Sequence, residues 1–471
     1  MSTPIHASPQ EVRDEGACPL GPDAASASDR LVAVGRLFGI ATCDPAGARV
    51  LEVGCGDGAD LLARAARFPL GRFVGTGAST RELSQARAAA DDLGLDNVAF
   101  VEGDVRSAAL PAGAFDIIVA HGFYSRAPRE MRDAFFATAR ERLAPDGLLV
   151  TSYDLLPGGH VRRIGRDAAR LEAAAVVDAA AQPEAERRIR RELAEAWSAA
   201  GGAAAALARA LTDDDAQAGG VRHPGDPSPP SDPVYFTSFV RHAAAHGLHY
   251  LADADLGTMG AGDLSPGLQK IVAACDTLAR EQYVDFARLR TFRQSVLVGA
   301  DARRRAKLTP SAIDAMHASA RPGADRDGAG GGTVAQWLAM RYPASVPVPE
   351  LLAELESRGV RPEDTRGAVV RACFAGAIVL RAMPAAAAAA PGERPRAFAF
   401  ARWQAARCDT LTSLLHERVV VDEPDARRIL TLADGTRDRG ALAAALDGRG
   451  DAPMFVDRAL AHFARVGLLE A

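Results

Sequence analysis

A loop with glycine at alternate positions is the part of this sequence best suited to hold a ligand. Glu52, Gly54, Gly56 and Gly58 occupy every second position at the end of a short apolar run. Glycine adopts positive φ without strain and lets the backbone approach a ligand closely. A helical pattern begins at Ala59, and the N–H groups at a helix start suit a carboxylate. We therefore predict a nucleotide-type ligand at this loop.

Two classes of ligand fit the loop. Its Glu-x-Gly-x-Gly-x-Gly pattern resembles motif I of class I methyltransferases. A dinucleotide site is the rival interpretation, because Gly54-x-Gly56-x-x-Ala59 also fits the looser dinucleotide fingerprint and residues 79–81 (Ser, Thr, Arg) could hold a 2′-phosphate. The third interpretation is an ordinary tight turn that binds no ligand. The glutamate inside the strand and the helix before it favour the methyltransferase.

Further candidates follow the later strands. Asp104 and Val105 come after the third strand, where we expect contact with an adenine amino group, although a solvated turn aspartate would give the same pattern. His121 follows the fourth strand and could be a base, an orienting group or a buried structural histidine. The residues predicted to line an acceptor pocket are His121, Tyr124, Tyr153 and Asp154.

Alternating strand and helix patterns position these residues. The predicted strands are 49–53, 72–75, 98–101, 115–120 and 148–153. The predicted helices are 29–38, capped by Asp29, then 59–68, 79–94 with a capping box at Ser79 and Glu82, and 128–143. This alternation indicates a parallel sheet covered on both faces. Residues 247–252 and 292–298 also read as strands and would complete the sheet as a reversed edge pair.

The rest of the chain is mostly helical. Residues 155–245 read as an insertion, helical over 161–211. In the C-terminal third, 368–382 resembles 456–471, and each reads as a helix followed by a short strand. This echo indicates two small winged-helix-like units. Three stretches poor in apolar side chains are predicted as linkers or loops: 212–233, 321–332 and 384–395.

Composition and charge exclude several classes of protein. The 471 residues are 48% hydrophobic and 24% charged, with net charge −5 and a pI near 6.1. These values disfavour a nucleic-acid or membrane-surface protein. The six cysteines form no Cys-x-x-Cys pair, so we expect no metal site. The sequence has no stretch of about 18 apolar residues, so we also expect no membrane span. We expect a cytoplasmic protein and leave a homodimer open.

The blocks between Asp29 and Val298 resemble class I methyltransferases that carry a methyltransferase regulatory domain, a group that includes bacterial protein-lysine methyltransferases. The matching segments include VLEVGCGDG, FDIIVAHGFYSRAP and DPVYFTSFVRHAAAHGLHYLADADL, and LADGTRDRGALAAAL resembles the C-terminal module of the group. The resemblance implies S-adenosyl-L-methionine as cofactor and a protein-lysine or small-molecule acceptor. The cofactor residues it implies are Glu52, Gly54, Cys55, Gly56, Gly58, Gly77, Asp104, Val105 and His121.

The resemblance also predicts the fold and the domain organisation. We expect an α/β protein, with a Rossmann-like class I methyltransferase sheet, a helical insertion and a mainly α C-terminal region. The predicted divisions are a flexible leader (1–28), a methyltransferase domain (29–303) with an insertion (about 155–245) and a regulatory-domain-like block (about 220–300), a linker (304–332) and a helical or winged-helix-like C-terminal domain (333–471).

Three departures from the family pattern concern the walls of the site. Relatives end the second strand with an acidic residue that bonds the ribose hydroxyls, and here that position is Gly77. Asp154 and Gly159 replace an asparagine and a tryptophan, and the Tyr-, Pro- and His-containing segment before Asp29 is missing. A different acceptor, a weakened cofactor site, a natural-product enzyme and a non-catalytic binding or regulatory protein therefore stay open as alternatives.

Overall fold

A seven-stranded mixed sheet forms the centre of the N-terminal part. The computed structural model describes residues 22–471 except 177, 179–180, 203, 206, 209–231, 303–307, 309, 322–331 and 447–448. The strand order is β3-β2-β1-β4-β5-β7-β6. The strands are β1 (Arg49–Val53), β2 (Arg72–Gly77), β3 (Val98–Glu102), β4 (Phe115–Ala120), β5 (Leu143–Asp154), β6 (Leu248–Asp253) and β7 (Phe292–Gly299).

Strands β1 to β5 are parallel, and β7 is antiparallel both to β5 and to β6. The Rossmann-like fold and the reversed edge predicted from the sequence are confirmed. The chain order changes direction between β1 and β4, which makes this junction the switch point of the sheet. Ligands of open α/β sheets bind beside the carboxyl ends of strands at such a point.

Short helices connect and cover the strands because each has an apolar face for the sheet. They are α1 (Ser28–Leu37), α2 (Ala59–Arg67), α3 (Thr80–Leu93), α4 (Phe123–Arg126) and α5 (Arg129–Arg142). The Ser79 hydroxyl accepts the Glu82 N–H at 3.2 Å, and Gly94 ends α3 at φ 65°, as the sequence predicts. Asp29 does not cap α1; it lies inside the helix and bonds two arginines.

The insertion after β5 is helical, as predicted. Two helices, α6 (Gly159–Ala175) and α7 (Gln182–Ala200), pack against each other. Three more helices precede and separate the last two strands of the sheet: α8 (Phe236–Ala245), α9 (Pro266–Ala273) and α10 (Thr277–Arg288). The predicted linker 212–233 lies almost wholly outside the described residues.

The C-terminal part contains two units of helices and short strands. The first comprises β8 (His317–Ala320), α11 (Gly332–Ala339), β9 (Val346–Pro347), α12 (Val348–Ser357), α13 (Pro362–Phe374) and β10 (Ile378–Arg381). The second comprises α14 (Ala399–Ala405), β11 (Thr410–Thr412), β12 (Arg418–Val420), α15 (Pro424–Leu432), α16 (Arg439–Ala444) and α17 (Ala452–Arg465). The predicted echo is present, since α13 leads into β10 and α17 leads into bridge-forming residues 469–470.

Three predicted boundaries need correction. Residues 25–28 of the predicted flexible leader are buried, because Asp23 begins a short 3-10 helix that packs against the sheet domain. Strand β5 begins at Leu143 and not at 148, since Leu143 already pairs with Phe115. The predicted linker 304–332 is not wholly irregular, since residues 310–313 form a 3-10 helix and residues 317–320 form β8. Of the predicted loops, 321–332 lies mostly outside the described residues and 384–395 is irregular as expected.

The C-terminal part packs directly on the sheet domain through buried polar contacts. Arg381 on β10 bonds the Asp29 carboxylate at 2.8 Å, and both side chains are almost fully buried. Arg67 bonds the same carboxylate oxygen at 3.0 Å. Two cations therefore hold the pKa of Asp29 well below its usual value although burial opposes this. The hydrophobic core is continuous across both parts.

A buried ionic cluster lies beside β7, the strand next to the β6 edge of the sheet. Arg293 Nη2 lies 2.7 Å from Glu281 Oε2 and 3.1 Å from Asp285 Oδ1, and Arg290 Nη1 lies 3.2 Å from Asp253 Oδ2. Two guanidinium groups thus face three carboxyl groups. Because one negative charge is in excess, burial and Asp253 raise the pKa of Glu281 to about 7.

None of the described helices is long and apolar enough to cross a membrane.

Candidate cofactor and acceptor site

The glycine loop turns sharply at the carboxyl end of β1. Gly54, Gly56 and Gly58 have φ values of 75°, 55° and 75°. The Gly54 and Cys55 N–H groups both donate to the Thr76 carbonyl at 2.9 Å, which fixes the loop against β2. A Cβ placed on Gly56 would meet no atom within 4 Å, and one on Gly54 would only reach Phe123 at 4.0 Å. The loop therefore has open space on the side of Gly54 and Gly56.

Gly58 is glycine because of close packing, and no open space lies beside it. Its Cβ would lie 2.6 Å from the Phe100 ring and 3.0 Å from Ala86. Glycine at this position lets α2 start close to the neighbouring elements. The Cys55 side chain is also turned inward, since a Cβ on Gly75 would lie 2.6 Å from its sulfur. Burial raises the pKa of the Cys55 thiol, so only the backbone of Cys55 is suited to a polar ligand.

Glu52 is a buried carboxyl group with unused hydrogen-bonding capacity. Its side chain is at the end of β1, and Oε2 has no hydrogen-bond partner among the described residues. Burial, together with the Asp60 carboxylate, raises the pKa of Glu52 well above its usual value. A buried carboxyl oxygen without a partner is costly. A cationic or N–H-bearing ligand at the loop would supply the missing partner.

Asp60, in the first turn of α2, joins the loop to distant parts of the chain. Its carboxylate bonds Arg64 at 2.7 Å and His416 Nε2 at 2.6 Å. His416 lies between β11 and β12 with φ 64°, in the left-handed region. Arg64 also donates to Ser26 and Ser28, at distances between 2.7 and 3.0 Å. The N-terminal segment and the C-terminal part thus both support the helix that follows the glycine loop.

His121 stands at the end of β4, across the switch point from Glu52. Its Nε2 lies 3.1 Å from the Ser26 hydroxyl, and Nδ1 is buried with no hydrogen-bond partner among the described residues. The next residue, Gly122, has φ 62° and donates its N–H to Ser152 at 2.7 Å. Glu52 and His121 therefore bring one buried unpaired polar atom each to neighbouring strand ends.

Asp104 caps the turn that follows β3. Its carboxylate accepts N–H groups of Arg106 at 2.8 Å and Ser107 at 3.0 Å, and it pairs with the Arg106 guanidinium at 2.9 Å. These bonds, led by Arg106, lower the pKa of Asp104 to about 2. Val105 beside it is buried. The carboxylate is thus already used by its own turn, which leaves the backbone here as the better partner for an adenine.

Gly77 ends β2 without a carboxylate, and a different acidic side chain stands beside it. Glu102 is paired with Gly77 in the parallel register and ends β3. Its Oε1 accepts the Thr80 hydroxyl at 2.7 Å. A Cβ on Gly77 would lie 3.2 Å from Leu83. No local sequence pattern marks Glu102, because its position beside Gly77 depends on strand register.

The predicted acceptor residues divide into two groups. The hydroxyls of Tyr124 and Tyr153 are bonded within the fold, to His242 Nδ1 and Ser295 Oγ respectively, each at 2.9 Å. Both rings belong to an aromatic cluster with Phe239. Asp154 is half-buried, with its carboxylate 3.4 Å from Arg162. Of the four residues, only His121 has an unused polar atom at the switch point.

Three domain families match the chain. A family described as "Methyltransferase domain" matches residues 50–147, "Predicted methyltransferase regulatory domain" matches 230–299, and "PKMT, C-terminal winged helix domain" matches 393–464. The three matches occur in the order the sequence predicts. The first two matches are to the domains that the resemblance predicts. The winged-helix prediction for the C-terminal part is confirmed by the third match.

Similar proteins come from rickettsiae. The uncharacterized proteins RP789 and RP028 of Rickettsia prowazekii (strain Madrid E) are each 29% identical to this chain, over 269 and 134 residues. These alignments cover 55% and 28% of this chain and 48% and 54% of the relatives, so the chain spans about half the length of the curated relatives it matches.

Solved structures extend the likeness to the whole fold. PKMT2 from Rickettsia typhi superposes with a TM-score of 0.80 at 19% identity, covering 96% of this chain and 100% of PKMT2. The same protein in complex with AdoHcy gives 0.79 at 20% identity, with the same coverage. The arrangement of sheet domain, insertion and C-terminal units is therefore shared with PKMT2.

Proposed function

We propose that this chain is an S-adenosylmethionine-dependent methyltransferase. One observation carries the proposal: open space at Gly54 and Gly56 lies beside the unpartnered Glu52 carboxyl at the switch point of the sheet. The cofactor carries an ammonium group and a carboxylate, which match Glu52 and the N–H groups of the loop and of α2. The AdoHcy complex of the similar PKMT2 supports the same choice over a dinucleotide.

The chemistry asks the protein mainly for alignment. When bound, the cofactor would supply a methyl group already activated by its positive sulfur for in-line transfer to an acceptor nitrogen or oxygen, with S-adenosylhomocysteine as the leaving group. A lysine acceptor has a pKa of about 10.4, so it must lose a proton before it attacks. His121 has the free ring nitrogen Nδ1 at the strand end next to the loop. We assign it the role of accepting or orienting that proton, with Ser26 fixing the ring through Nε2.

A protein lysine is the acceptor we favour over a small molecule. The match of the PKMT winged-helix domain and the full-length likeness to PKMT2 support this choice. The aromatic cluster of Tyr124, Tyr153 and Phe239 is packed on itself. It therefore does not form the enclosed aromatic pocket that would favour a small molecule.

Gly77 favours a second candidate, a methyltransferase-like protein whose cofactor site is weakened. The loss of two charge-assisted hydrogen bonds to the ribose would make the free energy of cofactor binding less favourable by about 2–4 kcal/mol. We assign Glu102 as the replacement acceptor, since it occupies the same register position on the next strand and keeps its carboxylate beside the start of α3. Replacing Glu102 by Gln should then weaken cofactor binding although Glu102 belongs to no motif.

Calorimetric titration of the full chain tests the proposal. S-adenosylmethionine and S-adenosylhomocysteine should bind at micromolar concentration and NADPH should not. Gly56→Val should abolish this binding, whereas Gly267→Val on α9, which also meets no atom within 4 Å, should leave it unchanged. Transfer of a labelled methyl group to lysines of a protein substrate would then establish the acceptor. No binding of either adenosyl ligand up to millimolar concentration would favour the second candidate, and selective NADPH binding would contradict both.

A further inference from the structure

Two histidines and a carboxylate meet between helices α5 and α8. His242 and His246 lie one helical turn apart, and Asp133 faces them from α5. Asp133 Oδ1 is 2.7 Å from His242 Nε2 and 3.2 Å from His246 Nε2. The three donor atoms all lie within 4.8 Å of one another, and the side chains are partly exposed, so a small ion can reach them.

The surrounding residues hold both imidazole rings in place. The Tyr124 hydroxyl lies 2.9 Å from His242 Nδ1, which leaves Nε2 of that ring directed at the cluster. The Phe136 ring packs against both imidazoles, with centroid separations of 5.0 Å to His242 and 5.9 Å to His246. A hydrogen bond to the second ring nitrogen is the usual way in which a metal-binding histidine is oriented. The rings are thus ordered without any ion.

We propose that His242, His246 and Asp133 bind a divalent transition-metal ion of the zinc type, with water at the fourth position. Two imidazoles and one carboxylate are a ligand set that suits zinc. Bonds of about 2.1 Å in a tetrahedron separate ligand atoms by about 3.4 Å. The observed separations of 2.7 and 3.2 Å would have to widen by about 0.7 and 0.2 Å, which small side-chain rotations of partly exposed groups can supply.

The basic residue next to Asp133 does not fill the space between the three groups. Arg132, next to Asp133 in sequence, is directed elsewhere, to the Ala127 carbonyl at 2.8 Å and to Asp232 at 3.0 Å. Arg132 therefore does not occupy the place where a cation would bind between His242, His246 and Asp133.

The site would connect two of the matched domains. Asp133 lies within residues 50–147, which match the methyltransferase domain, and both histidines lie within 230–299, which match the regulatory domain. Because Tyr124 follows β4 and touches His242, the ion would also steady the strand end that carries His121. This inference does not depend on the identity of the methyl acceptor. It revises the expectation of no metal site, which rested on the cysteines alone.

Metal binding to the full chain, without S-adenosylmethionine, tests the proposal. Chelator-treated protein is titrated with Zn²⁺ against a chromophoric chelator and, separately, with Co²⁺ while visible absorption is recorded. We expect one equivalent of Zn²⁺ and a Co²⁺ spectrum of four-coordinate nitrogen and oxygen ligands. His246→Ala and Asp133→Asn should each weaken Zn²⁺ binding at least tenfold, whereas His160→Ala, at an exposed histidine on α6, should not.

Asp133→Asn keeps the size of the side chain, so it separates metal binding from folding. Its melting temperature in the presence of chelator should stay close to that of the wild type, and only the wild type should melt higher after Zn²⁺ is added. Equal Zn²⁺ affinity in the wild type and both cluster variants would overturn the proposal. So would a wild-type Co²⁺ spectrum of the aqueous ion, whatever the variants do.

Discussion

Replacing Gly77 by Asp should tighten cofactor binding. The position has ordinary backbone geometry, since Gly77 is not among the glycines with positive φ. The new Cβ would lie 3.2 Å from Leu83 Cδ2, which must give way by a few tenths of an ångström. The side chain can therefore be added at the end of β2 without breaking the strand. It would restore the acidic group that relatives use for the ribose hydroxyls.

The expected gain follows from three contributions. Two charge-assisted hydrogen bonds contribute about 2–4 kcal/mol. Crowding against Leu83 costs about 1 kcal/mol, and repulsion from Glu102 in a solvated setting costs up to about 1 kcal/mol. The remainder spans about 0–3 kcal/mol, and its midpoint of about 1.5 kcal/mol corresponds to about tenfold tighter binding.

Calorimetry with S-adenosylhomocysteine measures the effect, and Gly77→Ala is the matched control because it adds the same Cβ without the carboxylate. Glu102→Gln should weaken binding in the wild type and have a smaller effect in the Gly77→Asp background, since the two carboxylates would share one task. If Gly77→Asp binds no more tightly than Gly77→Ala, then the ribose does not lie beside residue 77 and our account of Glu102 is wrong.

Three further predictions concern the stability of the scaffold. Gly58→Ala should lower the free energy of unfolding by about 2–4 kcal/mol in urea titration, because its Cβ meets Phe100 at 2.6 Å and the residue has φ 75°; a loss under 0.5 kcal/mol would contradict this. Glu281 keeps its proton up to about pH 7 in the folded state but loses it near pH 4.5 in the unfolded state, so its contribution to stability is lost as pH rises from about 4.5 to 7. Glu281→Gln should therefore flatten the melting-temperature profile over this pH range. An unchanged slope would exclude Glu281 as the cause. His416→Asn tolerates the positive φ but loses the bond to Asp60, so it should lower the free energy of unfolding by about 1–3 kcal/mol, and equal stability would show that this contact is not needed.

Local patterns were sufficient to predict most of the sheet domain. The apolar runs, the glycine loop and the capping serine at residue 79 each depend on a few neighbouring residues, and the structure places β1 to β4 and α3 within three residues of the predicted ends. The start of β5 was wrong because residues 143–147 carry turn-forming residues, yet Leu143 pairs with Phe115 across the sheet. Asp29 was wrong as a cap because two distant arginines, Arg67 and Arg381, compete for its carboxylate.

The sequence by itself determined the fold class, because this follows from the periodicity of the apolar residues, and its motifs carried the resemblance to methyltransferases. Tertiary structure decided which side chains meet. Only the folded chain places Ser26 against His121, His416 against Asp60, and Glu102 beside Gly77. The histidine and carboxylate cluster is also formed by residues more than 100 positions apart. Such contacts depend on strand register and helix packing, which no local pattern specifies.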